Sequence, residues 1–165
     1  MNIFTIFQTK EETDFAVAVN RNAQISDMRL ARAKVSADSP RNVLSAPITV
    51  SMGVKAKQVE GPTTQLLIEV SFRLTGSKKE DTSKNKTVVY VECTFEVSYQ
   101  LHPEFTPSAE QIKAFKDGNA IFNCWPYCRQ YVQDMIQRTG YPSLILPLLR
   151  VQTKPRESRK LSKPE

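Results

Sequence analysis

The sequence predicts an α+β domain: a four-stranded antiparallel sheet followed by a short helix and one long helix that covers one face of the sheet. Three observations carry this. Apolar residues alternate at period two through most of the first hundred residues, they switch to helical spacing after residue 120, and strands precede helices rather than alternating with them.

Residues 1–24 are mixed in character, and Phe15, Ala16, Val17, Ala18 and Val19 suit a short helix or nothing regular. A first strand follows over residues 25–37. Its alternation is imperfect: Met28 and Leu30 fall on one face, Ala31, Ala33 and Val35 on the other, as in a strand covered on both sides. Ser39, Pro40, Arg41 and Asn42 end it. The second strand is cleaner, with Ile48, Val50, Met52, Val54 and Ala56 on one face. After the turn Glu60-Gly61-Pro62-Thr63 the pattern resumes as Leu66, Ile68, Val70, Phe72 and Leu74. Residues 76–86 read as a polar loop. The longest alternation is Val89, Val91, Cys93, Phe95, Val97, Tyr99 and Leu101, in a strand over residues 87–101 that spans about 50 Å and must twist strongly.

Pro103 and Pro107 bracket a linker, and Ser108 with Gln111 forms a capping box for a short helix to about Lys116. Asp117, Gly118 and Asn119 read as a break. In the long helix, Ile121, Trp125, Cys128, Val132, Met135 and Ile136 make one apolar stripe, while Arg129, Gln130, Gln133, Asp134 and Gln137 fall mostly off it. Pro126 removes a helical hydrogen bond and is expected to kink the helix. Arg138 in the last turn, Gly140 as C-terminal cap and Pro142 place its end near Thr139. Residues 144–149 are too apolar for an exposed tail and too short for a bilayer, which needs about 20 residues, so they are expected to dock. One long helix is a thin cover for four strands, and an oligomer that shares helices between sheets completes it.

The chain of 165 residues is long enough for one domain with a core of ordinary size. Its N-terminus lacks a basic start and a cleavage site, and three cysteines without framework spacing fit reduced thiols, so a cytoplasmic protein is expected. The net charge of +6 sits mainly in the tail, where Lys154, Arg156, Arg159, Lys160 and Lys163 outnumber Glu157 and Glu165. A smaller basic cluster holds Arg29, Arg32, Lys34 and Arg41. The tail cannot bury enough apolar surface to order itself and reads as disordered and solvated. The chain thus divides into an N-terminal segment 1–24, a folded domain 25–151 and a basic tail 152–165.

Catalytic sets are missing from the pattern. The single histidine, His102, precedes a proline and has no acid or nucleophile beside it; the five glycines form no phosphate loop, and no metal-ligand spacing appears. No catalytic residue, metal or cofactor is expected. Cys124 and Cys128 look like a redox pair, but three residues separate them and they lie within a helical pattern. A redox motif needs two residues between the thiols at a helix start, so buried structural cysteines are the better reading. The two rivals kept are a thiol-disulfide oxidoreductase using Cys124 and Cys128, and a basic nucleic-acid-binding module acting through the tail, which salt-dependent binding would reveal.

The run Asn119, Ile121, Phe122, Trp125, Pro126, Tyr127, Arg129, Tyr131, Val132, then Gly140, Pro142, Leu144 and Leu146, resembles the C-terminal half of the SecB family of protein-export chaperones. That family carries an aromatic-Pro-Tyr-x-Arg signature on its long helix, then a Pro-x-Leu-x-Leu segment. Residues 25–30 are similar to its first strand, so the likeness covers most of the chain with specific motifs in about 35 residues. The resemblance implies a homotetramer, a dimer of dimers with helices between sheets. It also implies an ATP-independent holdase without cofactor, which keeps client polypeptides unfolded in apolar grooves.

Client-binding candidates are Phe72, Tyr99, Phe122, Trp125, Tyr127, Tyr131, Tyr141 and Leu144. Of these, Phe122 and Trp125 suit a helix-to-sheet core equally well, while Tyr127 and Tyr131, whose hydroxyls need partners, suit a groove better. Tyr141 and residues 144–149 line a groove or close the subunit. Asp27 and Arg29 are candidates for partner docking. Export members present acidic residues on the first strand to the export ATPase. Here Asp27 is present, but Ala31 stands where the family has glutamate, Arg29 and Arg32 add positive charge, and the tail is basic. The pattern is closer to the SecB-like branch associated with toxin-antitoxin systems, which leaves the client as a preprotein or an antitoxin.

Overall fold

The computed structural model describes residues 4–40, 47–79 and 85–154. Its elements in chain order are β1 (Phe4–Gln8), α1 (Lys10–Asn22), β2 (Ala23–Ala37), β3 (Ile48–Val59), β4 (Gln65–Lys79), β5 (Asn85–Leu101), α2 (Ala109–Phe115), a π-helical turn (Lys116–Ala120), α3 (Ile121–Arg138) and β6 (Leu149–Thr153). Four of the strands form one antiparallel sheet in the order β2-β5-β4-β3. Alternation sorts its two faces. Leu66, Ile68, Val70, Phe72 and Leu74 of β4, with Val91, Cys93, Phe95, Val97 and Tyr99 of β5, are buried on the inner face. The stripe of α3 seals them with Ile121, Cys124, Trp125, Cys128, Val132 and Ile136. Burial of each large side chain contributes ~1.5–3 kcal/mol, which makes this layer the main source of stability.

The imperfect alternation of β2 has a structural cause. The register shifts between Ile25 and Asp27 and again between Leu30 and Arg32, and each irregularity reverses the facing of the residues beyond it. Met28, Leu30, Ala33 and Val35 therefore pair with inner-face residues of β5, and Asp27, Arg29, Arg32 and Lys34 with outer-face residues. The expectation of cover on both faces is corrected: Leu30 and Val35 stay substantially exposed, because α3 lies over β4 and β5. The region read as a polar loop is mostly strand, since β4 runs on to Lys79 and β5 starts at Asn85. Gly76 allows the close packing there, as a Cβ on it would lie 3.2 Å from Ile48 and 3.4 Å from Val89.

The break expected at Asp117, Gly118 and Asn119 is instead the π-helical turn, so the backbone stays helical from α2 into α3. Gly118 is needed because the buried Gln8 side chain crosses it, and a Cβ would come within 2.6 Å of Gln8 Nε2. That amide donates to the carbonyl of Ala114 at 2.7 Å. The N-terminal segment is more regular than its composition suggests. Thr9 and Glu12 make a full capping box for α1, and Ala16 and Val19 are its buried residues. Strand β1 pairs in parallel with β6. Residues 155–165 of the basic tail lie outside the described residues.

Candidate functional site

Between the helix end and the sheet lies an apolar cavity of about 310 Å³, lined by Ile48 and Val50 of β3, Leu74 and Gly76 of β4, Val89 of β5, Ile136 of α3, and residues 141–144. Sequence shapes each wall. The C-terminal cap at Gly140, whose φ is 81°, ends α3 and turns the chain back. Trp125 Nε1 then donates to the carbonyl of Pro147 at 3.1 Å, and Arg129 Nε to that of Leu146 at 3.0 Å. The segment expected to dock is thus pinned along α3 by the two signature side chains. Leu146 is buried and Leu144 half-buried, while Ile145 and Leu148 point outward.

Tyr141 is one of the lining residues. It is 7% exposed, and its hydroxyl is closed off from solvent, with no hydrogen-bond partner among the described residues. Burial first, then the charge of Asp38, raises its pKa. An unpaired buried hydroxyl costs about 1–3 kcal/mol.

A second apolar surface lies on the other side of α3. Tyr127 is exposed, its ring 6.2 Å from that of Phe95, and Phe95 pairs in register with Leu30 of β2. Tyr131, half-buried, packs against the same core. Leu30, Val35 and Tyr127 form an uncovered strip along the β2 edge.

The other sequence candidates are placed differently. Phe72, Tyr99 and Trp125 are core side chains: Phe72 and Trp125 rings lie 5.8 Å apart, and Asn123 Nδ2 donates to the Tyr99 hydroxyl at 3.0 Å. Phe122 is not core, which corrects that alternative. It is half exposed, beside Val17 and Val151 in a separate depression away from the cavity. Of the eight candidates, Tyr141 and Leu144 meet at the cavity, and Tyr127 and Tyr131 meet at the strip. Ile48, Val50, Leu74, Val89 and Ile136 were missed as site residues. Alternation marked the four strand residues, and the helical stripe marked Ile136, as inward-facing, but neither pattern shows where the helix stops covering the sheet.

Asp27 and Arg29 lie on the outer face of the sheet, where an ion-pair network runs across all four strands. Glu69 accepts from Arg32 Nη2 at 2.7 Å and lies 2.8 Å from Lys57 Nζ. Hydrogen bonds from Arg32 and then Lys57 hold its carboxyl down to about 2. Arg29 pairs with Glu96 at 2.8 Å and Arg73 with Glu92 at 3.6 Å.

Cys93, Cys124 and Cys128 are buried and free. Burial pushes the Cys124 thiol up to about 12, and a hydrogen bond with Cys93 together with burial pushes Cys128 up as well. The thiolate is the reactive form, so the redox reading runs against the environment. Among the described residues no helix is long and apolar enough to cross a membrane.

No protein-family model matches the chain, and the comparison with curated proteins gives no match. Among solved structures, the SecB-like chaperone of Mycobacterium tuberculosis, in complex with a ChAD peptide from the HigA1 antitoxin, superposes with a TM-score of 0.69. The match covers 92% of this chain and 99% of that one at 20% identity. The chain has the SecB-like fold. A protein of unknown function from Streptococcus agalactiae superposes at a TM-score of 0.44, with 7% identity over 76% of this chain and 97% of its own. The SecB-like sheet and its long helix thus extend over nearly the whole chain, in keeping with the resemblance carried by Trp125, Pro126, Tyr127 and Arg129.

Proposed function

We propose that this protein is an ATP-independent chaperone that holds apolar stretches of unfolded client polypeptide in the cavity closed by Tyr141 and Leu144. The observation that carries this is the open apolar cavity at the end of α3, on a fold of the SecB-like kind. Such a site accepts a large apolar side chain without demanding a sequence. One client side chain gains ~1.5–3 kcal/mol there, against an ordering cost of several kcal/mol. One site is therefore weak, and several sites on an oligomer engaging one chain give the avidity a holdase needs.

The oligomer is a homotetramer in this reading, with the strip of Leu30, Val35 and Tyr127 covered by another copy. Tyr127 and Tyr131 then serve assembly more than client capture. The client is an antitoxin-type polypeptide rather than a preprotein. The M. tuberculosis chaperone was solved with an antitoxin peptide, and on the outer sheet face Arg29, Arg32, Lys34, Lys55, Lys57 and Arg73 outnumber Asp27, Glu69, Glu92 and Glu96. A basic face of this kind is a poor match for a partner that docks on acid. The test is aggregation of a chemically denatured protein followed by light scattering, without nucleotide. Delay at substoichiometric tetramer supports the reading, and unchanged aggregation overturns it.

A further inference from the structure

Strand β1 sits in a slot that has the properties of a strand-binding site. Phe4 stacks on Trp125 with ring centroids 5.2 Å and planes 12° apart. The indole is fixed from its other end by the carbonyl of Pro147. Phe4 pairs with Leu149 and Ile6 with Val151 in parallel register, so the slot consists of the β6 edge and an aromatic floor. Both Phe4 and Ile6 pack against the core yet remain half-buried. The firm attachment comes just after them. The Gln8 side chain is buried and donates to Ala114, its carbonyl accepts from Lys154 N at 2.7 Å, and Thr9 opens α1.

The strand is therefore anchored by a buried side-chain hydrogen bond at one end, whereas the other end is held by its pairing with β6 and the stack on Trp125. Parallel pairing is the weaker kind per residue, a two-stranded ladder is marginal by itself, and segments of this sort open locally at a small fraction of the global cost. We infer that β1 is a displaceable internal occupant: when residues 4–7 swing out about Gln8, the β6 edge and the Trp125 ring take an extended client segment. That segment carries an aromatic residue and an aliphatic one two positions later, as Phe4 and Ile6 do. Main-chain pairing supplies affinity and the alternate side chains supply preference, as in strand addition generally. The closed strap lowers apparent affinity by the fraction of molecules that are open. This rests on the chaperone reading and adds a second, gated site to the cavity.

Two variants of opposite sign test it. Phe4→Ala removes the ring stack and frees the slot. Thr5→Cys with Arg150→Cys joins register partners and locks the strap when oxidised. The probe is a labelled synthetic peptide with the sequence of residues 3–9, read by fluorescence anisotropy, alongside the aggregation assay. The expected result is at least threefold tighter peptide binding by Phe4→Ala, and loss of binding in the oxidised lock with return on reduction. Circular dichroism confirms that each variant is folded. Equal binding by wild type, Phe4→Ala and the oxidised lock overturns the strap while leaving the chaperone reading in place, provided that all three delay aggregation. If none delays aggregation, the chaperone reading falls and the strap with it.

Discussion

Arg129 Nε–H is bonded at 3.0 Å to the carbonyl of Leu146, seventeen residues on, and this one contact joins the helix signature to the Pro-x-Leu-x-Leu segment. With the Trp125 bond to Pro147 it makes the two motifs a single clamp that fixes the cavity wall. Arg129→Ala is expected to cost about 1.5–3 kcal/mol, the range for a hydrogen bond to a charged group. Arg129→Lys should recover only part of this, because an ammonium lacks the planar fork of the guanidinium. Thermal denaturation measures the loss, and client affinity should fall with it as the wall loosens.

Tyr141→Phe should leave client binding in place while it relieves a buried polar group. The hydroxyl has no partner among the described residues, so removing it leaves stability unchanged or raises it by up to about 1 kcal/mol. Client affinity should stay within about twofold, because the hydroxyl is closed off from the cavity. Chemical denaturation and a peptide-binding titration separate the two. A clear loss of affinity would mean that the hydroxyl reaches the client on binding.

The Glu69 network predicts an acid limb to stability. Its carboxyl lies at about 2 in the folded protein and near 4.5 in the unfolded chain. A depressed carboxylate contributes fully above the unfolded value, and that contribution is lost as pH falls from about 4.5 toward 2. Arg32 and Lys57 are more than half exposed, so solvent screens the gain, and Glu69→Gln should cost only about 1 kcal/mol at neutral pH. The telling result is convergence: the stabilities of wild type and Glu69→Gln should approach each other near pH 2. A gap independent of pH would place the effect in packing.

Gln8 and Gly118 form a paired test of the N-terminal attachment. Gly118→Ala drives a methyl into Gln8, and Gln8→Ala leaves the Ala114 carbonyl without its donor. Each should cost about 1–2 kcal/mol. The double variant should cost less than the sum, since both break the same contact. Denaturant titration of the four proteins gives the cycle.

The large elements were legible because their signals are local. Alternation from Val89 to Leu101 and the stripe from Ile121 to Ile136 require no knowledge of partners, and both were read with the right inner face. The bulges of β2 were visible only as a disturbed pattern, because a bulge is a relation between two strands. Strand β1 was missed for the same reason: five residues with one polar buried member become a strand only beside β6, about 145 positions away. Gly118 misled, since a glycine at a helix boundary reads as a break, and only the path of Gln8 explains it. The cavity was half legible: Tyr141 and Leu144 stood out, but its sheet-side walls depend on where α3 ends relative to β3 and β4.

Leu30 separates assembly from client capture. It lies on the inner face of the edge strand β2, 43% exposed, beside Phe95 and within the strip that ends at Tyr127, which is 54% exposed. Edge strands with apolar faces are ordinarily blunted or covered, and in the proposed oligomer the isologous contact of a second copy covers this one. Leu30→Lys sets a charge where that contact needs apolar surface, and costs the lone subunit little because the side chain already reaches water. The variant should keep its fold by circular dichroism while its light-scattering mass falls from an oligomer to a smaller species. The cavity lies on the opposite side of α3, so single-site peptide affinity should stay within about twofold, whereas the delay of aggregation should weaken severalfold as avidity is lost. An unchanged mass would move the interface away from β2, and Tyr127 and Tyr131 would return to the client side.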